Sequence, residues 1–275
     1  MRLRHAERAL AALATCAAAL AVALPALASS PHSVVTEAVS ASLTNIGKPV
    51  KTRLIIKLNG SVAYEQLVRS GFCGSGCSET AIAPGRSALK VLDIESDGRP
   101  DVLLGLYSGG AHCCFLDQVF SQVPGTTKYA RTEHNFLDAG ARLQKLGRRW
   151  VFMSADARIA DEYFTDFADA GMPIQIWRFS NRRFIDITRS YPRLISPDAA
   201  RWWRAFKANR SNNVGMIAAW AADEDLLGHY SQVRSTLDAQ AARGAFTSSL
   251  GLPHSSQTAF VSELQRDLRK LGYVK

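Results

Sequence analysis

Asp93-Ile94-Glu95-Ser96-Asp97-Gly98-Arg99-Pro100-Asp101 runs directly into Val102-Leu103-Leu104-Gly105-Leu106-Tyr107. The first nine residues set carboxylates at positions 1, 3, 5 and 9 of a tight turn, and the next six form an unbroken apolar run. Alternate side chains of a curling backbone point inward, so the side chains of Asp93, Glu95 and Asp97 are expected to converge. The carbonyl of Arg99 can add an oxygen there, Asp101 closes the set, and Gly98 permits the bend. An EF-hand would place a bidentate glutamate at position 12, which here is Leu104, inside the apolar run. The pattern therefore predicts a calcium turn between two strands. A plain hairpin turn is the competing reading. Against it, carboxylates about 4 Å apart repel by roughly 4 kcal/mol per pair at an effective dielectric of about 20, and one arginine cannot neutralise four of them. The expected affinity is in the weak extracellular range of about 0.1–1 mM, with a structural role for the ion.

Strand signals surround this turn. Leu89 to Leu92 and Val102 to Tyr107 flank it, and Gln118 to Ser121 continues the pattern. Upstream, Val50 to Leu58 and Ser61 to Val68 read as a hairpin about Asn59-Gly60. Downstream, Trp150 to Met153, Ile174 to Phe179 and Phe184 to Ile187 read as further strands, the last two joined across Ser180 to Arg183. Ser33 to Ser42 is polar and reads as poorly ordered. A faint repeat aligns Gly98-Arg99 with Gly147-Arg148, although the second copy lacks every carboxylate.

At Ser196 the character changes. Ser196-Pro197-Asp198 reads as a helix start, and apolar residues then recur at helical spacing through Trp203, Phe206, Trp220, Leu227, Leu237, Phe260, Leu264 and Leu268. The expectation is an α+β protein, with a mainly antiparallel β domain over 29–195, either an open sheet or an incomplete propeller, and a helical region over 196–275. Arg201 to Lys207 mixes bases with aromatics, a pattern that core packing of an amphipathic helix explains.

The first 28 residues read as a cleavable signal peptide. Arg2, Arg4 and Arg8 precede an apolar run from Ala9 to Leu24, and Ala26-Leu27-Ala28 suits a signal peptidase. That run is shorter than the roughly 20 residues a membrane span needs. Export to a periplasm or beyond, without stable membrane insertion, is the expected localisation. The remaining chain keeps a basic excess of seven, spread along its length rather than in blocks. Such a distribution argues against nucleic acid and leaves a protein or an anionic envelope polymer as the expected partner.

Four cysteines follow the leader: Cys73, Cys77, Cys113 and Cys114. In an oxidising compartment an even number reads as two disulfides, for which three pairings exist. Links between the two groups would close loops of roughly 40 residues and restrict the unfolded chain by about 3–4 kcal/mol for one bond, whereas a vicinal Cys113–Cys114 bond strains the backbone and is the less expected outcome. The alternative is a soft-metal or thiol site built from these cysteines and His112, which would make the chain an envelope hydrolase or redox protein. His134, Glu133, Asp156 and Asp161 are other groups capable of catalysis. None stands in a recognised catalytic spacing, so no catalytic residue is assigned and a binding or scaffolding role without enzymatic activity is expected.

The acidic turn with its following strand resembles the calcium turn of the FG-GAP and VCBS repeat group. The stretch from Asp93 to Cys114, with His134-Asn135-Phe136, Pro173 to Phe179 and Tyr191 to Arg204, is similar to exported bacterial proteins carrying those repeats. The resemblance implies a calcium-stabilised β domain, with Asp93, Glu95, Asp97, the Arg99 carbonyl and Asp101 around the ion, and implies no particular reaction. One intact turn is fewer than a closed propeller would contain.

Overall fold

The computed structural model describes residues 33–36, 38–73, 76–110, 113–162, 170–248 and 256–274, all within one compact unit, His32–Lys275. The leader expected over 1–28 lies outside the described residues. Three antiparallel sheets follow one another along the chain. The first contains β1 (Ser33–Val35), β2 (Val39–Ile46), β3 (Lys51–Leu58) and β4 (Ser61–Leu67) in sequential order. The second runs β5 (Ser78–Glu79), β7 (Asp101–Gly110), β8 (Cys113–Gln122) and β9 (Tyr129–Asn135), and β6 (Leu89–Leu92) shares β7 with β5, end to end along one edge. The third is a second four-stranded meander of β10 (Arg142–Leu146), β11 (Arg149–Ala155), β12 (Ile174–Ser180) and β13 (Arg183–Asp186).

The sheets are layered, with the second in the middle. Val102, Leu104 and Leu106 of β7, with Leu116 and Phe120 of β8, pack against Val39, Ala41, Leu54 and Ile56 of the first sheet. Leu103 and Val119 point the other way and join Leu143, Phe152 and Phe179 of the third. A strand covered on both faces reads as continuous rather than alternating hydrophobicity, which is why the run after Asp101 is unbroken. Gly105 interrupts it for a steric reason. A Cβ there would come within 2.6 Å of the Thr80 carbonyl oxygen, where residues 80–82 cross β7. Among the described residues the sheets close neither a barrel nor a propeller.

Two sequence expectations are corrected here. Within Ser33 to Ser42, Ser33–Val35 forms β1 and Val39 begins β2, because alternate residues Val39, Ala41 and Leu43 are buried against the middle sheet and supply a half-buried strand that polar Ser40 and Ser42 disguise. The helix expected from Ser196 begins instead at Pro192, with Pro197 inside it. Pro192 is a first-turn proline of the same kind four residues earlier, and buried Ile195 extends the apolar face back to it.

The helices are α1 (Ala157–Glu162), α2 (Pro192–Ala208), α3 (Val214–Leu226), α4 (Tyr230–Ala242) and α5 (Gln257–Lys270). Helix α3 is apolar nearly all round and sits at the centre, with Val214, Ile217, Ala218, Ala221 and Ala222 fully enclosed. Ile159 of α1, Phe206 of α2, Leu237 of α4 and Leu264 of α5 surround it. Trp203 packs on Trp220 with ring centroids 4.9 Å apart, and both tryptophans of the basic-aromatic stretch, Trp202 and Trp203, pack partly buried against the core. Among the described residues no helix is long and apolar enough to cross a membrane.

Candidate ligand cleft

The acidic turn is built as a hairpin between β6 and β7, which are in register from Leu89–Leu104 to Leu92–Asp101. Gly98 takes φ +83°, the left-handed geometry the turn requires. Each carboxylate has its own partner. Asp93 accepts the Asp97 N–H at 3.0 Å and the Gly98 N–H at 2.8 Å. Glu95 accepts from the Asn181 N–H in the β12–β13 turn. Asp97 pairs with the Arg99 guanidinium, whose Nε lies 2.9 Å away, and that bond is the main reason its pKa is lowered. Asp101 is buried and accepts the Ile94 N–H at 3.0 Å; desolvation pushes its pKa up to about 6, aided by the charges of Glu95 and Asp97. The donor set is all oxygen and suits a hard cation. Among the described residues no three His, Cys, Asp or Glu side chains are gathered to hold a metal ion. Backbone N–H groups and the Arg99 guanidinium satisfy the carboxylates locally.

The cysteines form two local disulfides, Cys73–Cys77 and Cys113–Cys114. The vicinal pair, the less expected outcome, is the one the fold adopts, and no bond links the two groups. All four sulfurs are therefore oxidised and offer no thiolate to a metal. His112 lies outside the described residues, as does the side chain of Asp161. Glu133 is a tether, accepting from Ser70 Oγ at 2.8 Å and Gln118 Nε2 at 2.5 Å.

The remaining two groups named above, His134 and Asp156, meet in a cleft where the third sheet joins the helices. It has two lobes of about 360 and 330 Å³, which share Arg158, Gln175, Asp186 and Leu271. Asp156 follows β11 and precedes α1. It is 2% exposed and holds Arg158 by a two-pronged bond, Nε to Oδ1 at 2.8 Å and Nη2 to Oδ2 at 2.5 Å. The Tyr273 hydroxyl donates to the same carboxylate at 2.7 Å, which fastens the end of the chain to the sheet. Asp186, at the end of β13, spends Oδ1 on the Thr188 N–H and hydroxyl. Gln175 Oε1 accepts from the Trp177 indole at 3.2 Å.

His134 forms the aromatic end of the cleft, 4.2 Å from the Trp177 ring centroid and 4.9 Å from that of Phe184. Burial lowers its pKa to about 4 against the pull of Asp186, so the ring is neutral near pH 7. At the other end Arg189 lies between helix ends. It donates to the carbonyls of Asp225 and Leu226 at 3.3 and 3.0 Å, to that of Gly272 at 3.1 Å and to that of Tyr273.

Arg158, Gln175, Trp177, Asp186, Arg189 and Tyr273 were not singled out from the sequence. They come from separate segments, and no local spacing joins them. The usable signals were Asp156-x-Arg158, an acid and a base at a helix entry, and the lone Asp186 within the apolar run Phe184 to Ile187.

No protein-family profile matches the chain. It is 26% identical over 160 residues to a probable thylakoid lumen protein of Synechocystis sp., a match covering 54% of this chain and 46% of that protein. The chain thus spans about half the length of that relative. Among solved structures, a Xanthomonas type IV secretion system related protein matches 57% of this chain and 92% of its own length at 9% identity, with a TM-score of 0.15 that supports no common fold.

Proposed function

We propose that this chain is an exported binding protein without catalytic activity, and that its recognition site is the cleft between the third sheet and the helices. One observation carries the reading. Arg158, Gln175 and Asp186 converge on a concave surface with hydrogen-bonding atoms left over after their internal partners are counted, beside an aromatic wall. Concave sites lined by aromatics and a few convergent polar groups are the usual place for ligands. Among the described residues no activated nucleophile accompanies them, because the cysteines are oxidised and His134 is held neutral among rings. Export is supported by the signal-like leader, by the disulfides and by likeness to a probable thylakoid lumen protein.

A screen of small soluble compounds of mixed chemistry, read by amide NMR shifts, tests this. Perturbed signals are expected to cluster on Gln175, Trp177 and Asp186 for some of the compounds. A screen in which the strongest shifts gather elsewhere, with the cleft silent throughout, would remove the proposal.

A second reading, that calcium pins the acidic turn, is favoured by Asp101. A buried carboxylate raised to about 6 by desolvation and by Glu95 and Asp97 is a charge that a cation would relieve. Binding would require Asp97 to exchange Arg99 for the ion and Glu95 to leave the Asn181 N–H. At about ten times a millimolar Kd, calcium would add roughly 1.4 kcal/mol to stability. The melting temperature is therefore expected to rise in 10 mM calcium relative to EDTA at matched ionic strength. Coincident melts would dispose of the ion.

A further inference from the structure

We infer that the cleft takes an uncharged saccharide, with one sugar ring against Trp177 and His134 and its hydroxyls shared among Asn135, Gln175, Arg158 and Asp186. The inference rests on the cleft being the binding site and adds the class of ligand.

Charge decides against ions. The Arg158 guanidinium is matched by the buried Asp156 carboxylate, and the Arg189 guanidinium is spent on four carbonyls. His134 is neutral because burial holds its pKa low. Asp186 is then the carboxylate facing the space without a cation bound to it, and with Asp156 it balances the two arginines, so an anionic ligand would meet no net positive charge. A compact cation would find one carboxylate oxygen and no second acid near it, since among the described residues no metal-holding group exists.

Hydrogen-bonding capacity decides for hydroxyls. Gln175 uses Oε1 on the Trp177 indole and leaves its Nε2 hydrogens. Asn135 uses Oδ1 on the Leu137 N–H at 2.8 Å and leaves its Nδ2 hydrogens. Arg158 uses Nε and Nη2 on Asp156 and leaves Nη1. Asp186 uses Oδ1 on Thr188 and leaves Oδ2. The remainder is three planar donors and one acceptor along the lining of the two lobes, and a hydroxyl both donates and accepts. A neighbouring pair of hydroxyls on a sugar completes that set: one donates to Asp186 Oδ2, and both accept from the amide and guanidinium hydrogens. The axial C–H face of a pyranose is the apolar surface that the partly exposed Trp177 side chain, lining the cleft beside His134, would cover. Arg158, Gln175, Asp186 and Leu271 line both lobes, so successive rings of one chain would meet the same polar groups.

The experiment titrates the leader-free chain with maltotetraose, cellotetraose and chitotetraose, each beside its monosaccharide, and with inorganic phosphate and citrate at constant ionic strength. Tryptophan fluorescence and amide NMR are the readouts. At least one tetrasaccharide is expected to saturate the signal and to bind tenfold or more tightly than its monosaccharide. Trp177→Phe and Asp186→Asn are each expected to weaken it at least tenfold; Gln175→Ala serves as a third variant should either lower the melting temperature. Phosphate or citrate saturating the same residues while the tetrasaccharides do not would overturn the ligand class and leave the cleft as a binding site. Saccharide binding indifferent to all three substitutions would overturn the placement. Silence from every tetrasaccharide would overturn the inference, and the compound screen above then decides separately whether the cleft binds anything.

Discussion

Single residues hold the helical region to the sheets, and Arg189 illustrates how. It follows β13 in a 3-10 turn over Thr188–Ser190 and reaches carbonyls at the C-terminal end of α3 and just beyond α5. The last carbonyls of a helix lack intrahelical partners and carry the negative end of its dipole, so a guanidinium there satisfies hydrogen bonds and charge together. Arg189→Met keeps much of the side-chain volume and removes every donor. It is expected to cost about 2 kcal/mol, in line with the loss of hydrogen bonds to a charged group. Arg189→Lys, which keeps the charge but not the fork, should recover only part of that. Denaturant unfolding of the three proteins checks both; a loss below about 0.5 kcal/mol for the methionine variant would show that water satisfies the carbonyls equally well.

At the scale of elements, much of the β-rich portion was legible. Strand β6 and the hairpin of β3 and β4 fall where alternation and Asn59-Gly60 place them, and β12 and β13 meet across the expected turn. Gly98 and Gly147, which the faint repeat aligns, both take positive φ in turns leading into strands, β7 and β11. Strands β9 and β10 escaped notice because Tyr129-Ala-Arg-Thr-Glu-His-Asn and Arg142-Leu-Gln-Lys-Leu are short of apolar residues; the neighbouring strands supply their pairing. The disulfides show a different limit. Cysteine spacing bounds the number of pairings, but only the path of the backbone brings Cys113 against Cys114 rather than Cys73. The cleft was the least legible part, because β9, β11 with α1, the β12–β13 hairpin and the end of α5 each contribute one or two polar residues. Sequence flagged His134 and Asp156 as chemistry-bearing groups, and the fold supplied their neighbours.

Across the whole molecule, buried acids outnumber the compensation given to them, and this fixes the direction of the pH response. Desolvation raises Asp101 to about 6, Asp117 to about 7 despite Lys90, and Asp225 to about 7 despite Arg189 and Arg269. Asp223, wholly enclosed on α3, is raised further by burial and by the carboxylate of Asp198, against the pull of the Ile174 N–H and Arg201. An aspartate in the unfolded chain gives up its proton near pH 3.9. Between about pH 4 and 7 the native state thus holds protons that the unfolded state has lost, and stability falls as pH rises. His134 works the other way: its native pKa of about 4 lies below the unfolded value near 6.5, so its contribution is present above 6.5 and is lost as pH falls toward 4. Four acids against one histidine leave a net decline with pH. In EDTA, the guanidinium midpoint is expected to be higher at pH 5 than at pH 7.5. Asp117→Asn and Asp225→Asn, which fix these side chains in an uncharged form, should flatten the difference. A midpoint that rises from pH 5 to 7.5 would mean that these carboxylates ionise in the folded protein beside cations or water, and the enclosed acid at Asp223 would then be the first place to look for one.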